Sequence, residues 1–135
     1  MSRRKNPEQT IHLAVAQHLR LRGMPGMVWF HPANGGLRSK REAAIFKAMG
    51  VRAGVSDFIF VHDSKIYALE LKAEGGRATE QQLKFLSDID RAGAFTAMPT
   101  GLDAALATLE AWGLIRPAIK TMGEVAQRAE QRAAE

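Results

Sequence analysis

Asp57 and, thirteen residues further on, the run Glu70-Leu71-Lys72 place two carboxylates and an ammonium in segments of strand-like composition. Hard oxygen ligands of this kind suit Mg²⁺ or Mn²⁺, whose remaining coordination is filled by water and substrate phosphate. A lysine beside them can orient an attacking water or stabilise charge developing on the phosphate. The chemistry this set suggests is phosphodiester hydrolysis.

Position follows from local composition. Asp57-Phe58-Ile59-Phe60-Val61-His62 and Lys65-Ile66-Tyr67-Ala68-Leu69-Glu70-Leu71 are rich in β-branched and aromatic residues and flank Asp63-Ser64, which predicts a β-hairpin. With Asp63-Ser64 as a two-residue turn, His62 pairs with Lys65 and Asp57 falls opposite Glu70. Opposed side chains have Cβ atoms roughly 4.5–5.5 Å apart, and two like charges at that separation call for a proton or a cation between them. Alternation puts Lys72 on the same face as Glu70. Ile59, Val61, Ile66 and Ala68 share that face, with Phe58, Phe60, Tyr67, Leu69 and Leu71 on the other. Two apolar faces predict interior strands of a covered sheet. The bland reading of the same residues is an exposed hairpin whose Asp, Glu and Lys are merely solvated.

The chain has the length of one domain with a core of its own. It shows no long apolar run, secretory signal pattern or repeat, so a cytoplasmic protein without membrane partners is expected. Without cysteine there is neither a disulfide framework nor a thiolate zinc site, and the four histidines are scattered without paired metal-ligand spacing. Charge is divided unevenly. Residues 1–55 hold ten Lys/Arg against two Asp/Glu, a net +8, whereas residues 56–135 hold nine against twelve, a net −3. A basic half beside an acidic metal site fits a polyanion gripped by one surface and processed at another. The competing reading is a basic tail, Arg3-Arg4-Lys5, with solvated helix faces.

Asn6-Pro7 reads as a helix start, and Ile11, Ala14, Val15 and Leu19 continue with helical spacing to about Leu21. Glu8 lies at one end of the apolar stripe, either reaching the site or complementing the helix dipole. Met27 to His31 reads as a strand leading into a turn at Asn34-Gly35-Gly36. A second helix begins near Arg38, Lys40 and Arg41, carries Ala44, Ile45, Ala48 and Met49, and ends at Gly50. Arginines at an amide-rich turn and a helix N-terminus are natural phosphate contacts. The segment Gly50 to Ser56, which contains Arg52, delivers the chain to Asp57 with glycines that permit close approach.

Beyond Lys72, Gly75-Gly76-Arg77 makes a turn before a helix starting near Thr79, with Gln82, Leu83, Leu86 and Ile89 on its inner face. Gln82 therefore points at the hairpin, or else completes a capping box with Thr79. Ala94 to Met98 is the last core strand, and Leu102 to Trp112 a helix with Leu102, Leu106 and Leu109 inward. The stretch from Thr121 to Glu135 reads equally as a peripheral helix, a partner-binding helix or a tail.

Together, Glu8, Asn34-Gly35-Gly36 with Arg38, Gly50 through Asp57, Glu70-Leu71-Lys72 and Gln82 resemble the VRR-NUC family of the PD-(D/E)XK nuclease superfamily across residues 7–98. The resemblance implies an α/β, restriction-endonuclease-like core with a mixed central sheet flanked by helices. By that resemblance Asp57, Glu70 and the Leu71 backbone carbonyl would ligate Mg²⁺ or Mn²⁺, Glu8 through water. Lys72 would assist the hydrolytic water, with Gln82 and Glu8 completing the catalytic set. Many relatives have proline before the metal-binding Asp, where this chain has Ser56.

The small stand-alone members it resembles are homodimeric, structure-selective nucleases, some acting on branched or junction DNA. The domains expected are a basic tail at 1–6, a nuclease domain at 7–116 and a C-terminal helix or tail at 117–135. The expected activity is that of a metal-dependent DNA endonuclease, with Asn34, Arg38, Lys40, Arg41, Arg52 and Arg77 on DNA. The alternative is a non-catalytic nucleic-acid-binding module of a replication, repair or packaging assembly.

Overall fold

The computed structural model describes residues 6–33, 38–118 and 129–134. Its elements run α1 (Pro7–Arg22), β1 (Val28–Phe30), α2 (Lys40–Ala48), β2 (Phe58–His62), β3 (Lys65–Leu69), α3 (Glu80–Arg91), β4 (Phe95–Ala97) and α4 (Leu102–Ala111). The strands form one sheet in the order β1-β2-β3-β4. β1–β2 and β2–β3 are antiparallel, and β3–β4 is parallel across the α3 crossover. This is the mixed, helix-flanked sheet that the sequence led one to expect.

The hairpin has the expected register, from His62 opposite Lys65 to Phe58 opposite Leu69. Asp63 and Ser64 adopt φ of 48° and 62°. Positive φ at both central positions is the mark of a type I′ turn, whose twist matches that of the flanking strands. The register is thus pinned by the turn and carries directly to Asp57 and Glu70.

One face of the sheet packs Phe58, Phe60, Tyr67, Leu69 and Leu71 against Val15, Ala16 and Leu19 of α1 and Ala105 and Leu109 of α4. Phe58 and Phe60 are fully buried, each contributing about 1.5–3 kcal/mol by leaving water. The other face is covered less than its composition suggested. Ala68 is buried, but Val61 and Ile66, beside the turn, are 41% and 46% exposed. α3 runs along this face from Gln82 at the Glu70 end to Ile89, which lines a pocket with Ile66 beside the turn.

Two helices depart from their expected faces. α2 buries none of its residues, and Ile45 and Met49 are exposed; its contact with an arginine is instead made by Phe46, with the Arg38 guanidinium 4.2 Å from the ring centroid. In α3 the buried residue is Phe85, while Leu83 is half exposed. Leu83 shares a helical stripe with Leu86, but the face turned inward is that of Phe85, whose ring also lies beneath the Arg52 guanidinium. Among the described residues, no helix is long and apolar enough to cross a membrane. Residues 1–5, Asn34 to Leu37 and most of the stretch from Thr121 lie outside the described residues; within that stretch, 129–134 form an exposed helical segment.

Candidate active site

Asp57 enters the site from the loop ahead of β2. Ser56, fully buried, donates its hydroxyl to the Phe58 carbonyl at 3.2 Å, so a side-chain bond ties the approach to the first residue of β2. Gly54, two residues earlier, has φ of +79°, and a Cβ there would collide with the Gln81 backbone. The loop therefore lies directly on α3, a closeness that only glycine permits. Asp57 Oδ2 accepts the Leu71 backbone N–H at 2.7 Å, tying the two strands together one residue beyond their ladder. In a strand, the N–H and C=O of one residue point the same way, so the Leu71 carbonyl is directed to the Asp57 side of β3.

Glu70 and Lys72 extend past the end of β3. Their backbone N–H groups donate to the Ala97 and Pro99 carbonyls, continuing the parallel pairing beyond β4. Alternation turns both side chains away from Leu69 and Leu71, toward α3. They are 2% and 5% exposed, and a carboxylate and an ammonium this buried need partners. Lys72 Nζ donates to Gln82 Oε1 at 2.9 Å, to Glu70 Oε1 at 3.3 Å and to Glu8 Oε1 at 3.4 Å. Gln82 Nε2 donates to Glu70 Oε1 at 2.9 Å.

The two readings of Gln82 are both realised in one conformation. Its Oε1 accepts the Thr79 N–H at 2.9 Å while Thr79 Oγ1 accepts the Gln82 N–H at 3.1 Å, which completes a capping box. The same amide binds Lys72 and Glu70. Glu8 likewise serves two ends: it occupies the first turn of α1, which Asn6 caps through the Glu8 and Gln9 N–H groups, and it reaches Lys72.

Electrostatics distinguish the acids. Burial, reinforced by the charge of Asp57, pushes the Glu70 carboxyl up to about 7 against the opposing pull of Lys72. Lys72 alone thus leaves the acid pair incompletely compensated. Two adjacent carboxylates with a directed carbonyl are a hard-oxygen donor set, and a divalent cation fits the charge that remains.

The positions expected to contact nucleic acid are less unified. Lys40, Arg41 and Arg77 are exposed. Arg52 pairs with Asp88 at 2.6 Å and lies over the Phe85 ring, which holds Asp88 below its ordinary value with help from Lys84. Asn34 lies outside the described residues.

Two of the four histidines come together in space. His12 of α1 and His31, just past β1, meet beside Asp57, where one ligand atom from each of the three lies within 4.8 Å of the others. His12 Nδ1 is 3.8 Å from Asp57 Oδ1. Burial holds the His12 imidazole below its ordinary value, aided by His31 and opposed by Asp57. One signal for His12 was present in sequence: it stands one helical turn after Glu8, on the same face. His31 gave none, because its position depends on the pairing of β1 with β2.

No family model matches this chain, and none of the curated proteins matches it. Among solved structures it is similar to one described as "VRR_NUC domain protein", with a TM-score of 0.66 and 20% sequence identity, over 82% of this chain and 90% of that one. The likeness is one of fold, and it is the fold that the sequence resemblance implied.

Proposed function

We propose that this chain is a divalent-metal-dependent DNA endonuclease, with its nuclease domain at residues 7–116. The observation that carries the reading is the convergence of Asp57, Glu70, Lys72, Gln82 and Glu8 at one end of the sheet, with the lysine bonded to three of the others. Asp57, Glu70 and the Leu71 carbonyl would hold Mg²⁺ or Mn²⁺, with Glu8 joining through water. When bound, that cation would supply Lewis acidity at a phosphate oxygen and make a coordinated water more acidic than bulk water.

The chain's own groups do the rest. Lys72, fixed by Gln82 and Glu70, would exchange its longest contact, the one to Glu8 at 3.4 Å, for the hydrolytic water or a phosphate oxygen as negative charge builds there. Gln82 sets the distance between Lys72 and Glu70. Water then attacks phosphorus in line with the departing oxygen, a geometry that a preorganised site favours by removing the entropy of encounter. Asn34, Arg38, Lys40, Arg41, Arg52 and Arg77 would neutralise flanking phosphates. Arg52 would first have to exchange its Asp88 contact for phosphate.

The preferred substrate is branched or junction DNA, cut by a homodimer that brings two sites to one substrate. The small domain and the resemblance to stand-alone VRR-NUC enzymes support this. Labelled linear, flap, splayed and four-way DNA should be offered with Mg²⁺, Mn²⁺ or EDTA, with Lys72→Ala as control. The expected result is EDTA-sensitive cleavage concentrated on branched substrates and lost in Lys72→Ala. Binding without scission under every metal condition overturns the reading in favour of a nucleic-acid-binding module.

A further inference from the structure

We propose that His12, His31 and Asp57 form a second cation site, selective for a borderline divalent transition metal of the Co²⁺, Ni²⁺ or Zn²⁺ type over Mg²⁺. The site adjoins the Glu70 cluster and shares Asp57 with it. Its binding chemistry stands independently of the nuclease reading; only its use in phosphodiester cleavage rests on that reading.

Three separate elements deliver the donors: His12 from α1, His31 from the end of β1 and Asp57 from the entrance to β2. Their candidate ligand atoms lie within 4.8 Å of one another, and a bound ion would draw them to about 2.0–2.2 Å from itself. Two imidazoles and one carboxylate are a softer set than the oxygen-only cluster around Glu70, and imidazole nitrogen favours transition metals over Mg²⁺.

The imidazoles are already oriented for the task. His31 Nδ1 lies 2.6 Å from the Asp57 carbonyl oxygen. A carbonyl only accepts, so Nδ1 carries the proton and Nε2 keeps its lone pair for a ligand. A backbone carbonyl on the far nitrogen is the usual companion of a metal-binding histidine. His12 stacks on Phe58 with centroids 4.4 Å apart and meets the His31 ring edge-on at 4.4 Å. Phe58 is fully buried, so this stack anchors His12 to the core.

There is also room for what completes the coordination. The three side chains line a cavity of about 460 Å³ together with Asn6, Glu8, Gln9 and Leu13. Water or a substrate oxygen can enter it beside the donors. With neutral imidazoles, a divalent ion here leaves a net positive charge facing the cavity, which suits a phosphate. In a nuclease, Asp57 would thereby be a donor common to both sites.

The test is a titration of Co²⁺ into full-length, metal-stripped protein, followed by calorimetry and by the visible absorption of the ion, with parallel Mg²⁺ titrations. His31→Gln alters an exposed residue, and His12→Phe keeps the stack on Phe58; each is checked for unchanged thermal unfolding. Wild type should bind Co²⁺ at least about tenfold more tightly than Mg²⁺, and each histidine variant should lose about tenfold or more in Co²⁺ affinity with Mg²⁺ affinity nearly unchanged. Glu70→Gln should weaken Mg²⁺ and spare Co²⁺. Co²⁺ binding indifferent to both histidines overturns the site, whether or not the protein cuts DNA. Co²⁺ binding through both histidines upholds it, even in a protein that cuts none.

Discussion

Gln82 Nε2 donates to Glu70 Oε1 at 2.9 Å while the oxygen of the same amide closes the N-terminal cap of α3 on Thr79. Helix initiation and the orientation of a buried acid are therefore properties of one side chain, and the two can be separated by mutation. Thr79→Ala should remove the cap alone, lowering stability by about 1 kcal/mol with little change in cleavage rate well below the melting temperature. Gln82→Ala should lose a similar stability and also about tenfold or more in cleavage, because Lys72 and Glu70 lose a shared partner. Thermal melts paired with single-turnover cleavage would check this; equal activity losses in the two variants would refute the division.

Glu70 gives metal-free protein a definite pH dependence. Its folded-state value is raised from 4.5 to about 7, chiefly by burial and then by Asp57. Between those values the folded protein keeps a proton that the unfolded chain has released, so this group's contribution to stability is present below about 4.5 and is lost as pH rises through about 7. Glu70→Gln mimics the protonated acid and lacks the effect. In EDTA, the melting temperature of wild type relative to Glu70→Gln should fall from pH 5 to pH 8; a constant difference would contradict the assignment.

Lys72 opposes that shift, since its charge pulls Glu70 downward. Lys72→Met keeps most of the buried stem while removing the ammonium. The Glu70 titration should then move to higher pH, visible in the carboxyl carbon shifts by NMR, and cleavage should fall by about a hundredfold or more. A Glu70 titration that stays in place would show that the two groups are not coupled as the 3.3 Å contact implies.

Gly54→Ala should be costly without touching any polar group of the site. The residue sits at φ of +79° against the Gln81 backbone. The left-handed conformation costs roughly 1–2 kcal/mol for a side-chain-bearing residue, and displacing packed backbone adds about 1–3 kcal/mol. Denaturant unfolding should show a loss of about 2–5 kcal/mol. Gly75→Ala shares the positive φ but has open space at its Cβ position, so it should show only the smaller conformational part.

The hairpin register was legible because a two-residue turn leaves only one way to pair its strands, and side chains alternate from there. That placed Asp57 across from Glu70 and Lys72 on the same face before any tertiary contact was known. The helix caps at Asn6 and Thr79 were legible for a similar reason, since their bonds span only two or three residues. The faces of α2 and α3 were not, because periodicity identifies a stripe without saying how much of it a short sheet can cover. Ile45, Met49 and Leu83 fit the pattern and remain exposed.

The sequence by itself determined the local geometry: which residues oppose one another in the hairpin, where helices start, and that acids and a lysine share one strand face. Tertiary structure alone decided what surrounds them. Lys72 meets Glu8 across sixty-four residues, and His12, His31 and Asp57 come together from a helix and two strand ends. Those meetings depend on the angle at which α1 crosses the sheet and on the pairing of β1 with β2. Packing of the whole core fixes both, and short-range rules of turn and period do not contain them.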